Sequence, residues 1–197
     1  MALLVNTVFL FLVLSVCSIF CSDDNGTFFY FAYGSNLLDK RIKLNNPTAI
    51  FTGPAELKDY RLDFFNYIKY WEGAVATIVP HPGHVVWGAL WTLDKKEMDR
   101  LDKQEGVDVG LYFALNKTVT MPGGISVEAR TYQATKLPSF DDLPMQRQPS
   151  NTYLQVIFLG AVESKLPADY IGSLLTINPN GQFANETIRK SLGYPFY

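Results

Sequence analysis

The chain has 197 residues, 48% of them hydrophobic and 18% charged, with a formal net charge of -2. That composition excludes a disordered polymer, and the length suits one sizeable domain rather than two. No basic block is present, which excludes a nucleic-acid surface and leaves a small or neutral partner as the expectation.

The chain starts with MALLVNTVFLFLVLSVCSIFCS, an apolar run followed by DDNG. It reads as a cleaved secretory leader over residues 1–21, although basic residues are missing from its start. Ser18, Cys21 and Ser22 are the small residues available for cleavage. An uncleaved signal anchor is the alternative, because the run is nearly long enough to span a bilayer. The expectation is therefore a secreted domain over residues 22–197, free of the membrane once the leader is removed. Both cysteines, Cys17 and Cys21, fall in the leader, so the mature domain would carry no thiol nucleophile, no disulfide and no Cys-containing zinc site. Asn-x-Thr triplets at Asn25, Asn116 and Asn185 are candidate glycan acceptors in such a chain.

Residues 28–33, FFYFAY, form a short continuous aromatic run stopped by Gly34, the pattern of a buried strand. Leu37, Leu38, Ile42 and Leu44 then alternate with Asp39, Lys40, Arg41 and Lys43, which predicts a short amphipathic helix ended by Asn45–Pro47. Five further strands are expected at YRLDFFN, GAVATIVP, HVVWGALWTL, GLYFALNKTVTM and SVEARTYQAT, each bounded by Gly, Pro or Asn. Helices are expected at NTYLQVIFLGAVES and PADYIGSLLTI. Strands dominate the middle and helices flank them, so the class is α+β.

Between the strands, TLDKKEMDRLDKQEG reads as a helix with Asp94 as its cap and Glu97 reaching back to complete a capping box. Gly106 suits the left-handed position just past its end. Glu105 then sits on the last turn, where the helix dipole disfavours a negative charge, and Asp102 lies within a turn of it. Both effects predict a raised proton affinity, a poor property for stability and a useful one for a general base. A solvated helix-end carboxylate is the bland alternative.

The strand–glycine–helix passage at Tyr33–Leu37 predicts a nest of backbone N–H groups able to hold a carboxylate or phosphate. Gly34 allows close approach, and Ser35 or Asn36 can cap the helix. An ordinary capped turn would look the same. Ser35 is not in a Gly-x-Ser-x-Gly elbow. His81 and His84, the only histidines, have no third ligand nearby in sequence and read as loop residues. No phosphate loop or dinucleotide fingerprint is present.

YFAYGSNLL followed by RLDF, GAVATI, VWGALW, LDKQEGV and YLQVIFLGA resembles the γ-glutamylcyclotransferase family along almost all of the expected mature chain. The resemblance implies a small β-barrel with helices packed around it, commonly as a homodimer. It implies that Tyr33, Gly34, Ser35, Asn36 and Leu37 form the substrate cradle and that Glu105 is the acid/base. It also implies substrate contacts from Tyr30, Phe31, Ala32 and Tyr153. Tyr112 either lines the same pocket or belongs to the core. The implied reaction turns a γ-glutamyl compound into 5-oxoproline, with no metal, cofactor or protein nucleophile required. Two rivals are a γ-glutamylamine cyclotransferase and a non-catalytic secreted binding protein of the same fold. Ser-Asn-Leu after Tyr-Gly weighs against the first, whose branch resembles Tyr-Gly-Thr-Leu, and retention of Glu105 weighs against the second. PSFDDLPMQRQPSNTY reads as a long loop close to Tyr153.

Overall fold

Strand β1 (Thr27–Ala32) holds the sheet together by pairing with two strands far from it in the sequence. The structure, a computed structural model, describes residues 26–139 and 147–196; the expected leader, Asn25 and residues 140–146 of the long loop lie outside the described residues. Strands β2 (Ile50–Ile68), β3 (Gly73–Asp94), β4 (Tyr112–Thr120) and β5 (Ser126–Ala134) complete a closed barrel in the order β1-β3-β2-β4-β5. Every neighbouring pair is antiparallel except β1 and β5, which meet in parallel at Tyr30 and Arg130 and close the ring. Closure removes the exposed sheet edge that an open sheet would offer for aggregation. Phe31, Leu57, Val86, Leu90 and Val119 belong to one continuous core.

Two expected strands, GAVATIVP and HVVWGALWTL, are a single strand, β3. Opposite it, the register jumps from Lys58↔Val85 to Tyr60↔Pro80, so residues 81–84 bulge out without partners in β2. Asp59 supports the bulge from a positive φ of 63° and accepts from the Gly83 N–H at 2.9 Å. Pro82 lies within the bulge, where the ladder asks for no donor, and Pro80 borders it, which is how prolines are tolerated inside a long strand. His81 and His84 belong to this bulge rather than to a loop between strands, their rings stacked 3.8 Å apart. The expected strand YRLDFFN is likewise only the second half of β2, which also runs through Gly53 and Pro54 with a register shift at that point.

Helices α1 (Asp39–Lys43), α2 (Met98–Gln104), α3 (Asn151–Glu163), α4 (Ala168–Leu174) and α5 (Glu186–Leu192) flank the barrel. The last was not expected, although Asn185 caps it by accepting from the Ile188 N–H at 3.1 Å and Gly193 ends it at a φ of 69°. Ahead of α2, a 3-10 turn (Lys95–Glu97) replaces the expected first helical turn, and only half of the capping box forms. Asp94 accepts from the Lys96 N–H, but Glu97 turns away to accept from the Thr48 hydroxyl at 2.5 Å. Thr48 in turn accepts from the Asp94 N–H at 3.1 Å, so the glutamate caps the helix through a threonine on another segment. Among the described residues, no helix is long and apolar enough to cross a membrane.

Candidate active site

The Tyr-Gly-Ser-Asn-Leu passage leaves β1 and folds into a single 3-10 turn (Ser35–Leu37) rather than the start of a longer helix. Three contacts fix it. Trp91 donates its indole N–H to the Asn36 carbonyl at 3.1 Å, and Ser164 donates its hydroxyl to the Leu37 carbonyl at 3.2 Å. Gly160 of α3 supplies the third, because a side chain there would meet the Leu38 nitrogen at 2.5 Å. The Leu37 N–H is used by the Gly34 carbonyl at 3.0 Å, so the amides of Ser35 and Asn36 are the first-turn donors without a partner inside the turn.

No side chain caps this turn. Asn36 instead reaches across to the end of α2, where its amide donates to Glu105 Oε1 at 2.9 Å, and it also donates to the Tyr30 hydroxyl of β1 at 3.0 Å. Gln104 donates to Asn36 Oδ1 at 3.1 Å and accepts from Asn45 at 3.0 Å and Asn46 at 3.2 Å. This chain of amides fixes which oxygen of Glu105 is held and which is left for another partner. Sequence reasoning offered Ser35 or Asn36 as the cap, placed Asn36 in the cradle and gave Gln104, Asn45 and Asn46 no role; contacts between separated segments have no periodicity to betray them.

Glu105, Tyr30, Tyr33, Gly34, Ser35, Asn36 and Tyr153 come together around a small cavity of about 30 Å³, whose wall Ala76, Tyr112 and Tyr132 complete. An outer chamber of about 300 Å³ shares Ser35, Glu105, Tyr112 and Tyr153 with it. Phe31, Ala32 and Leu37, expected as substrate contacts, are instead fully or almost fully enclosed in the core and line neither space. Successive residues of a strand face opposite ways, and Phe31 turns its ring toward Gly88, where a side chain would meet it at 2.7 Å. Tyr112 fills both of its expected roles, being buried and lining the cavity; its hydroxyl donates to the Ala76 carbonyl at 2.5 Å. The Ala76 N–H donates to the Tyr153 hydroxyl at 3.1 Å, so one residue of β3 anchors both rings.

The Glu105 pKa rises from its ordinary 4.5 to about 7, and burial is the largest cause. The enclosing tyrosines supply apolar ring surface and no countercharge. Arg41, Gln104 and Asn36 favour the anion, and Asp102 opposes it most weakly. The raised affinity was expected; burial, its largest cause, was not, and Asp102, which was, contributes least. Asp102 is paired with Arg130 at 2.6 Å and accepts from the Tyr132 hydroxyl at 2.5 Å, which compensates its charge. Burial likewise holds Tyr30, Tyr33 and Tyr112 well above the ordinary phenol value and lifts Tyr153 to about 12. Near neutrality the carboxyl therefore titrates inside a ring of protonated phenols.

A base must be ionised in the free enzyme to accept a proton, so kcat/KM is expected to rise with pH through about 7. Asn36→Leu removes a donor that favours the anion, and its acid limb is expected to move to higher pH than the wild type's in a pH–rate profile. An unmoved limb would show that the Asn36 bond does not tune the carboxyl.

Arg41, one of the charged residues of the expected amphipathic helix, is buried against Trp71, facing the outer chamber. Asn116 is exposed on β4, whereas Asn185 uses its side-chain oxygen as the α5 cap. Among the described residues no cluster of His, Cys, Asp and Glu could hold a metal ion.

Fold and site together define an enzyme pocket built around one buried carboxyl of raised pKa. Residues 85–174 match the AIG2-like family. The chain is 42% identical over 168 residues to the γ-glutamylcyclotransferase of Bos taurus, spanning 83% of this chain and 86% of that one. It is 39% identical over 170 residues to the Homo sapiens γ-glutamylcyclotransferase, spanning 84% and 87%. A solved γ-glutamyl cyclotransferase structure matches with a TM-score of 0.77 at 38% identity, covering 84% of this chain and 98% of that one. The chain belongs to the γ-glutamylcyclotransferase family.

Proposed function

We propose that the protein cyclises γ-glutamyl amino acids or peptides to 5-oxoproline with Glu105 as the shuttling base and acid. The observation that carries this reading is a carboxyl with a pKa of about 7 beside the turn amides, in a cavity it shares with Tyr153. The substrate brings its own nucleophile, the α-amine, and its own electrophile, the γ-carbonyl. Holding the two in attack geometry contributes about 7–11 kcal/mol in favourable cases. Ionised Glu105 takes a proton from the α-ammonium, and the freed amine attacks the γ-carbon to form the ring C–N bond. The Ser35 and Asn36 amides stabilise the oxyanion or bind the α-carboxylate. Glu105 returns the proton to the departing nitrogen as the original amide C–N bond breaks, and the ring nitrogen sheds its second surplus proton through the same carboxylate to the freed amine, which leaves as an ammonium. The products are 5-oxoproline and the free amino acid, and Glu105 ends as it began.

The test is incubation with γ-glutamyl-alanine and, separately, with γ-glutamyl linked to the lysine side chain, assaying 5-oxoproline. Product from the first supports the reading; product from the second alone moves it to the γ-glutamylamine branch. No product from either favours a binding protein of the same fold. Secretion after removal of residues 1–21, glycosylation at the exposed Asn116 and assembly as a homodimer belong to the same proposal. The apolar leader and the Asn-x-Thr triplets support the first two, and the family resemblance supports the third.

A further inference from the structure

Among the described residues, Arg41 alone of the Lys and Arg side chains lines either space of the candidate site. Its side chain leaves the short helix α1 and is 8% exposed. Its Nε is fully enclosed without a hydrogen-bond partner, and the guanidinium has no ion pair among the described residues. One face of the guanidinium is taken by Trp71, 5.8 Å from the ring centroid. A buried cation normally has an anion or a set of acceptors to offset its lost hydration. An aromatic face compensates only in part. The chamber's own carboxyl, Glu105, feels the Arg41 charge but takes its hydrogen bonds from Asn36 and Gln104 rather than from Arg41. Arg41 is therefore a planar fork of donors aimed at a chamber that supplies no carboxylate dedicated to it, the geometry that suits an incoming carboxylate.

We propose that Arg41 receives the carboxylate of the departing amino acid and so selects γ-glutamyl amino acids over γ-glutamyl amines; this rests on the cyclotransferase reading above. A γ-glutamyl amino acid carries two carboxylates, while a γ-glutamyl amine carries one. The turn amides of Ser35 and Asn36 suit the carboxylate on the glutamyl half, which must lie within reach of Glu105 through its neighbouring amine. The inner cavity of about 30 Å³ admits no more than a small terminal group, so the departing group lies in the outer chamber of about 300 Å³, where Arg41 stands. Glu105 lies on the wall common to both spaces, as a group that takes a proton from one half and gives it to the other must.

The test compares kcat/KM for γ-glutamyl-alanine and γ-glutamyl-ethylamide, which differ mainly in the second carboxylate, in the wild type, Arg41→Gln and Arg41→Lys. The wild type is expected to prefer the alanine compound by roughly 10- to 100-fold, the range of a charge-assisted contact. Arg41→Gln is expected to bring that ratio close to one, mostly through KM, and Arg41→Lys to retain part of it. Parallel losses on both substrates would overturn the assignment, because they would place Arg41 on the glutamyl half, on the tuning of Glu105 or in the fold. A wild type that turns over both compounds without preference would also overturn it while leaving the cyclisation intact, whether or not the Gln variant folds. A wild type that yields 5-oxoproline from neither would overturn the reaction itself.

Discussion

Glu105→Gln is expected to lower kcat by about 10²–10⁴-fold, the usual contribution of a positioned acid–base group. Gln keeps the size of the side chain and an oxygen able to accept from Asn36 and Gln104, as Glu105 does now. What it loses is the ability to take a proton. The same substitution is expected to stabilise the protein at alkaline pH. The folded carboxyl titrates at about 7 against an ordinary 4.5, so between those values the native state binds more protons than the unfolded chain. Stability from this group is complete below about 4.5 and is lost as pH rises to about 7. The Gln variant does not ionise and escapes the loss. Its advantage over the wild type should grow by on the order of 2–3 kcal/mol between pH 4.5 and pH 8. Thermal melts at the two pH values, beside a 5-oxoproline assay, measure both effects. Activity within tenfold of wild type, or a stability difference that does not change with pH, would contradict the role given to the carboxyl.

Gly160→Ala is expected to cost both stability and activity although it lies outside the cavity. The new methyl would sit 2.5 Å from the Leu38 nitrogen and 2.6 Å from the Leu37 carbonyl carbon, against main chain that cannot rotate away. Helix α3 must retreat or the turn must move. Overpacking of this kind costs about 1–3 kcal/mol, which for a domain of this size lowers Tm by roughly 3–10 °C. The turn carries Ser35 and Asn36, and a misplacement of about 1 Å near the reacting atoms can reduce the rate by about 10²-fold. Gly172→Ala is the control, since nothing lies within 4 Å of a side chain there and α4 gains a better helix former. If Gly160→Ala melts and turns over like Gly172→Ala, the close approach of α3 is not what holds the turn.

The parts of this protein legible in its sequence are those governed by short-range rules. The aromatic run of β1 stops at Gly34, and Gly106 takes the left-handed position after Glu105, with a φ of 67°. Helix α3 begins at Asn151 behind a serine cap, as its pattern implies. What escaped depends on partners distant in the chain. Gly53–Pro54 and Pro80–Gly83 look like strand breakers, yet β2 and β3 each accommodate the irregularity opposite the other through a register shift. Glu97 had the right spacing for a reciprocal cap, but Thr48 offered a better donor. Arg41 sat among charged residues in a short amphipathic pattern, and only the position of Trp71 shows that its side chain turns inward. Within the candidate site, residue types pointed to Glu105, which lines the cavity with a raised pKa. Alternation along β1 decided that Tyr30 faces the cavity while Phe31 fills the core.

Barrel closure has a consequence for how the protein is made. Strand β1 must wait for β5 before the ring can shut, and Thr131 donates to the Phe31 carbonyl across a separation of 100 residues. Such a high contact order slows folding, because a long loop loses its entropy before the distant contacts reward it. Tyr132 and Tyr153, which complete the cavity wall, leave the ribosome long after Tyr30 and Asn36. A growing chain that has already folded its β2–β3 hairpin is therefore still incompetent, and competence arrives in one late step rather than by degrees.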